Sequence, residues 1–351
     1  MNEENSNVLV EKEVKQVEVQ PFLMPISKQN EIQIISTNTT PNQLVSQQYY
    51  EPSPFILANT EEATLHHLQN DCIIPVFRDS EQTIAHFQLI NTVQECIAKA
   101  FPYPSSDKPE ICVSHKVSGR IPKALHKPVK ELLDNEKTLF WERMAFIIKI
   151  PSIINGNELS LTIGGIRSYK SSNLFNKKSM EHFKVFCGFQ VKVCSNLCVW
   201  SDGFVDDLRA SSVQELQAKI LQLLQNYNAE HHLSEMKQLT DYSLTESQFA
   251  SLIGRSRLYQ HLPKSEKQNI PLLNFNDSHI STMAKDYYED KNFCRQEDGR
   301  INLWDVYNLF TQANKSSYID TFLDRNLNAF EFSKGIQKAL NDSSNYHWFL
   351  S

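Results

Sequence analysis

The chain has 351 residues, of which 40% are hydrophobic and 10% aromatic, including 20 Phe and 12 Tyr. This composition excludes a wholly disordered protein and provides for one domain with a tail, or for two domains. The formal charge of −6 lies at one end, because residues 1–62 hold nine acids and three bases while the remainder holds 32 of each.

Residues 1–60 are rich in Glu, Gln, Asn, Ser and Thr and are broken by Pro21, Pro25, Pro41, Pro52 and Pro54. Such a segment buries too little surface to offset its ordering entropy, so it reads as a disordered acidic arm. Within it, EIQII (31–35) is suited to dock on a protein partner. The start, MNEENSNVLVEKEVKQ, is acidic where a signal peptide is basic and then apolar, and no run of 18 apolar residues is present. No membrane association is expected. The seven cysteines are Cys72, Cys96, Cys112, Cys187, Cys194, Cys198 and Cys294. Being odd in number, scattered and mostly in apolar surroundings, they read as free thiols of a reducing, cytoplasmic compartment.

A single globular domain is expected over 61–351, β-rich at 110–203 and helical at 204–342. A helix is predicted around Gln88 to Ala100, closed by Phe101-Pro102-Tyr103-Pro104. The following stretch, ICVSHKVSGRIPKALHKPVKELL, has Lys116, Arg120, Lys123, Lys127 and Lys130, with no acid between Ile111 and Lys130. Met144, Phe146, Ile148 and Ile150 alternate as in a strand, as do Leu159, Leu161 and Ile163, and Asn155-Gly156 between them suits a tight hairpin. Phe183, Val185, Cys187, Phe189, Val191 and Val193 mark one face of a third strand. A fourth spans Leu197 to Trp200 and ends at Ser201-Asp202-Gly203.

The period then becomes helical. Ser212 to Glu215 and Ser243 to Glu246 read as capping boxes that open helices. Further helices fit His279 to Tyr288, Leu303 to Gln312, Tyr318 to Arg325 and Ala329 to Leu340. Strands first and helices afterwards describe an α+β fold, an antiparallel sheet followed by a helical C-terminal layer.

Six strings carry a resemblance: HKVSGRIPKALHKP (115–128), ERMAFIIKIPSI (142–153), LSLTIGGIRSY (159–169), FKVFCGFQVKVCSNLCVWSDG (183–203), LTDYSLTESQFASLIGR (239–255) and NLFTQANKSSYIDTFLDRNLNAFEF (308–332). Through them the chain resembles the bacterial family of domain of unknown function 3871. Its Val193-Cys194 with Asn196 is more distantly similar to phage- and plasmid-related proteins of unknown function. The resemblance implies a bacterial, cytosolic, mobile-element setting with a DNA-related context, and supplies no activity, cofactor or catalytic residue.

Residues 111–192 hold 14 bases and six acids, whereas 198–250 hold three bases and eight acids. Strand alternation places Arg143 and Lys149 opposite Phe146 and Ile148, and sets Lys184, Phe186 and Lys192 together opposite the apolar face of their strand. Lysines around an aromatic suit single-stranded DNA or RNA, with charge on the phosphates and bases on the ring. Lys116, Arg120 and Lys127 would extend this surface. The plain alternative is a solvated sheet face whose charges pair with the acidic helical part.

TESQFASLIGRSRLYQHLP (245–263) has the Ala250–Gly254 spacing of a helix-turn-helix, with Arg255 and Arg257 towards DNA, against which stand Gln260 and Pro263. Cys187, Cys194 and Cys198 lack the close pairing of zinc ligands, and His231-His232 adds no metal signal. The carboxylates Asp202, Asp206 and Asp207, or Asp286, Glu289 and Asp290, would serve a metal-dependent nuclease, with solvated turns as the plain reading. Gly164-Gly165 lacks the sequence context of a phosphate loop and reads as a bend in a strand. The leading expectation is a non-enzymatic nucleic-acid-binding accessory factor without cofactor or metal. The alternatives are the nuclease and a pure protein-interaction factor working through the arm.

Overall fold

The alternation at Met144–Ile150 and Phe183–Val191 builds the centre of an antiparallel sheet. The structure, a computed structural model, describes residues 54–74, 83–101, 108–150, 159–172, 180–191, 195–342 and 344–351, except the side chain of Asp206. The arm up to residue 53, the Asn155-Gly156 link, Lys192 and Cys194 therefore lie outside the described residues. Phe55 and Ile56, on the arm side of the boundary read from the sequence, are buried.

Among the described residues six strands follow one another as a meander: β1 (Glu61–Ala63), β2 (Glu110–Arg120), β3 (Lys137–Ile150), β4 (Leu159–Ser168), β5 (Glu181–Val191) and β6 (Leu197–Ala210). Two helices precede β2, α1 (Leu65–Asn70) and α2 (His86–Ala100). The C-terminal half holds α3 (Val213–Asn226), α4 (Ala229–Gln238), α5 (Glu246–His261), α6 (Lys264–Lys267), α7 (Asp277–Glu289), α8 (Leu303–Asn314) and α9 (Ile319–Asn341). The two-residue strands β7 (Ser243–Leu244) and β8 (Ile301–Asn302) pair within it. The fold is α+β.

The sequence reading contains no β1, α1, α4, α6, β7 or β8, and other elements differ from it in extent. β2 begins at Glu110, so the first part of the basic stretch is a strand. β6 runs through Ser201-Asp202-Gly203 to Ala210, because its pairing with β5 shifts register there instead of ending. Gly203 permits that close approach, since a Cβ on it would collide with the Cys187 carbonyl. The second capping box is Thr245 with Gln248, two residues later than expected, while Ser243 belongs to β7. Finally, 318–340 holds one continuous helix, α9.

Both faces of the sheet are buried. Leu89, Val93 and Ile97 of α2, with Leu216 and Ile220 of α3, share a core cluster with Phe146, Ile148, Phe183 and Val185. On the opposite face Cys112, Ala145, Ile147, Ile166 and Phe186 meet Ile319, Phe322 and Leu323 at the start of α9, together with Phe55 and Ile56. Gly164 makes room for the Phe186 ring, because a Cβ there would lie 2.7 Å from Phe186 Cζ.

A buried ion pair fastens α2 to the sheet. Arg167 on β4 lies between the rings of Tyr169 and Phe183, its Cζ 4.6 Å from each centroid. Its guanidinium binds Glu181 and the Ile84 carbonyl, and Glu181 Oε1 accepts the Ile84 N–H at 3.2 Å. Burial pulls the Arg167 pKa down, opposed by the charges of Tyr169 and Glu181.

Two histidines of the core give the fold an acid sensitivity. His86 stacks on Tyr169 with centroids 4.3 Å apart, and the Tyr227 hydroxyl and His232 Nδ1 share a hydrogen bond of 2.7 Å. Burial lowers both pKas to about 3, with the charge of Arg167 adding for His86 and that of His231 for His232. An unfolded histidine titrates near 6.5. Below that pH the unfolded chain binds protons that the folded chain refuses, so stability falls from about pH 6.5 towards 3. Each histidine should cost about 1.4 kcal/mol by pH 5.5. Thermal melts should show a lower Tm at pH 5.5 than at pH 7, and an unchanged Tm would contradict this account.

Candidate nucleic-acid interface

β1 pairs with β2 over Ile111–Val113, and β4 pairs with β3 from Arg143 onward. Beyond those limits Lys116–Arg120 and Lys137–Trp141 remain paired with each other. Among the described residues no further strand flanks them, so they form a two-stranded ribbon about 17 Å long. The Ile73 N–H donates to the Leu139 carbonyl at 2.7 Å along one edge. Phe140 packs on Tyr169 with Val117 and Ile74 beside them, and these contacts anchor the root. At the same level His115 has φ of 59°, and the strict alternation of β3 breaks. Trp141, odd-numbered, joins the same core cluster as Met144 and Phe146.

The tip, residues 121–136, is ordered by short 3-10 turns and by its own polar contacts. The Arg120 guanidinium donates to the Lys127 carbonyl, Lys127 pairs with Glu136, and Lys137 pairs with Asp134 at 2.7 Å. Glu136 is held below the usual carboxylate range by the hydrogen bond from Lys127, then by that from the Leu133 N–H. Of the predicted site residues on the ribbon, Arg120 and Lys127 thus shape the tip. Lys116 is exposed, its Nζ 5.6 Å from the centroid of Trp141. Lys123, His126 and Lys130 are exposed as well, beside Leu125 (69%), Val129 (68%) and Leu133 (61%).

The sheet-face residues lie elsewhere, and the expected stacking platform is corrected. Phe186 is 1% exposed under α9 and presents no ring to a base. Arg143 pairs with Asp320 at 2.9 Å and Lys184 with Asp324 at 2.8 Å, two acids four apart on α9. Lys149 pairs with Glu110 at 2.5 Å at the other end of β3. Arg143 and Lys184 thus pair with the helical half, as the plain alternative has it, but on a face that is covered rather than solvated. Their partners lie on α9, outside the acidic 198–250 segment.

A groove of about 550 Å³ remains at the end of the sheet, where Arg143 and Lys184 meet Lys170, His182 and Asp207. Asp207 accepts from His182 Nδ1 at 2.6 Å and from Arg209 at 2.7 Å. Chiefly the Arg209 hydrogen bond holds its carboxyl below the ordinary range.

The helix-turn-helix is not formed. α5 runs through Gly254 without a turn, burying Phe249, Leu252, Ser256 and Tyr259 at continuous helical spacing. Arg255 donates to the Ser351 carbonyl at 2.9 Å over the Trp348 ring, and Arg257 pairs with Asp277 at 2.6 Å. Cys187 and Cys198 are buried in the core. His232 lies within α4 and is enclosed by Phe189, Trp200 and Phe330. Asp290 accepts the Asn292 and Phe293 N–H groups, and Glu289 pairs with Lys285 at 3.5 Å. Burial, then the charge of Asp290, raises the Asp286 pKa. Among the described residues no group of three or more His, Cys, Asp or Glu is placed to hold a metal. No helix among them is long and apolar enough to cross a membrane.

No curated protein and no solved structure matches the chain. A family model described as "Domain of unknown function, B. Theta Gene description (DUF3871)" matches residues 31–350.

Proposed function

The chain belongs to the DUF3871 family, and on that premise we propose that it is a non-enzymatic factor that holds nucleic-acid backbone with its β2–β3 ribbon. The observation that supports this reading is the ribbon itself, paired beyond the flanking strands, with exposed Lys116 on it and exposed Lys123 and Lys130 at its tip. A two-stranded ribbon fits the roughly 12 Å major groove of duplex DNA, and lysines at its surface neutralise phosphates. With Phe186 buried, duplex rather than single-stranded nucleic acid is the favoured ligand. The cytosolic, mobile-element setting implied by the resemblance belongs to the same proposal.

The test is an anisotropy titration of labelled duplex and single-stranded DNA at two salt concentrations. Lys116→Glu/Lys123→Glu/Lys130→Glu should weaken duplex binding on the order of 10- to 100-fold at low salt and reduce the salt slope by about three. Absence of binding by the intact chain at low salt would overturn the proposal. The exposed Leu125, Val129 and Leu133 favour a second reading, in which the ribbon tip docks on a protein. In that case Leu125→Ser/Val129→Ser/Leu133→Ser would abolish the association while the lysine variants kept it.

A further inference from the structure

The groove at the end of the sheet is separate from the exposed ribbon tip and has its own chemistry. Its wall on β3 is Arg143, which pairs directly across the sheet with Ser168 of β4. The turn after β4 brings Lys170 and Ser171, and the start of β5 brings His182 and Lys184. α9 closes the groove with Asp320 in its first turn. Ile166 and Phe183 add an apolar portion to the lining.

The two carboxylates of the groove are already engaged. Asp207 accepts from both His182 and Arg209, and Asp320 accepts from Arg143 at 2.9 Å. Of the cationic side chains, Lys170 is exposed, whereas Arg143 is held by Asp320 and Lys184 by Asp324, so an anion gains Lys170 directly and Arg143 only by displacing Asp320. Asp320 is 39% exposed, whereas Arg143 is 15% exposed. A pair open to water on one side is worth little, and a guanidinium binds a phosphate through two parallel hydrogen bonds. A dianionic phosphate would compete with Asp320 for the guanidinium, which also has Glu142 at 3.7 Å. The volume of about 550 Å³ exceeds what a bare ion fills and lies in the range of small-molecule sites.

We infer that this groove binds a phosphate monoester carried on a small organic body, with Arg143 as the principal anchor and Asp320 as an internal competitor for it. Asp320 then acts against the ligand, and its removal has the opposite sign from removal of Arg143. That opposition distinguishes a binding site from a merely structural ion pair, for which both changes would act alike. The inference is independent of the ribbon, and neither outcome for one decides the other.

Isothermal titration calorimetry of the full chain with adenosine 5′-monophosphate, glucose 6-phosphate and adenosine tests it, the two esters separating a nucleotide source from a sugar phosphate. At least one ester should bind and adenosine should not. Arg143→Gln should weaken binding tenfold or more, and Asp320→Asn should tighten it several-fold. If Arg143→Gln does not fold, Lys170→Gln, on the exposed turn after β4, supplies the same readout with a several-fold loss. Silence with both esters would overturn the inference. So would adenosine binding as well as its monophosphate, undiminished binding in the folded Arg143 or Lys170 variant, or weaker binding by Asp320→Asn.

Discussion

Glu181→Ala is expected to cost about 3–5 kcal/mol of stability. Its carboxylate is the charged partner of Arg167, a guanidinium that is 1% exposed and lies between two aromatic rings. Removing the acid leaves a cation in a place where water cannot solvate it, and that uncompensated charge costs more than the ion pair itself contributes. The same carboxylate accepts the Ile84 N–H, and Arg167 binds the Ile84 carbonyl, so the chain leading into α2 loses an anchor as well. The urea midpoint of Glu181→Ala should fall accordingly, and a change under about 1 kcal/mol would contradict the account. The double variant Arg167→Met/Glu181→Leu should recover most of the loss, because apolar groups of similar size need no counter-charge there.

Phe186→Ala is expected to cost a further large amount, about 3–5 kcal/mol. The ring fills the space over Gly164 and touches the cluster made by Ile147, Ile166, Val199 and Phe322. Truncation leaves a cavity between the sheet and α9 that neither rigid element can close. The two roles open to this residue give opposite results. A stacking platform would lose affinity for nucleic acid and keep its stability. A core ring, as found, loses stability while the folded fraction keeps its affinity. Chemical unfolding and a binding titration on the same sample separate the two.

Phe186 also shows where the sequence was legible and where it was not. The period of two in β3 and β5 sorted side chains correctly onto two faces, because strand geometry alone sets that alternation. Coverage of the second face depends on α9, more than a hundred residues away, and no local period reports it. A signal was nonetheless present. Ala145 and Ile147 make β3 nearly continuous in apolar residues, MAFII, which is the pattern of a strand buried on both sides. Arg143 and Lys184 were read as solvent-facing for the same reason, and they meet Asp320 and Asp324 instead.

Helices α2, α3, α5, α7 and α8 were legible from caps and apolar spacing, as at Ser212, whose side chain accepts the Glu215 N–H, whereas α4 and α6 were not. The continuity of α9 was hidden by its polar middle, in which Asn326 and Asn328 are buried. The ribbon could be seen as basic but not as projecting. Its extent is set by where β1 and β4 stop pairing, a property of the sheet rather than of the stretch itself.

The measurement that bears most directly on the proposed function compares two sets of cations in one duplex-DNA titration at low salt. One chain carries Lys116→Glu/Lys123→Glu/Lys130→Glu on the ribbon, and the other carries Lys149→Gln/Lys184→Gln on the covered sheet face. The account predicts that the ribbon variant loses binding on the order of 10- to 100-fold while the sheet-face variant binds as the unaltered chain does. Equal binding by the ribbon variant and the unaltered chain, or a loss confined to the sheet-face variant, would contradict it.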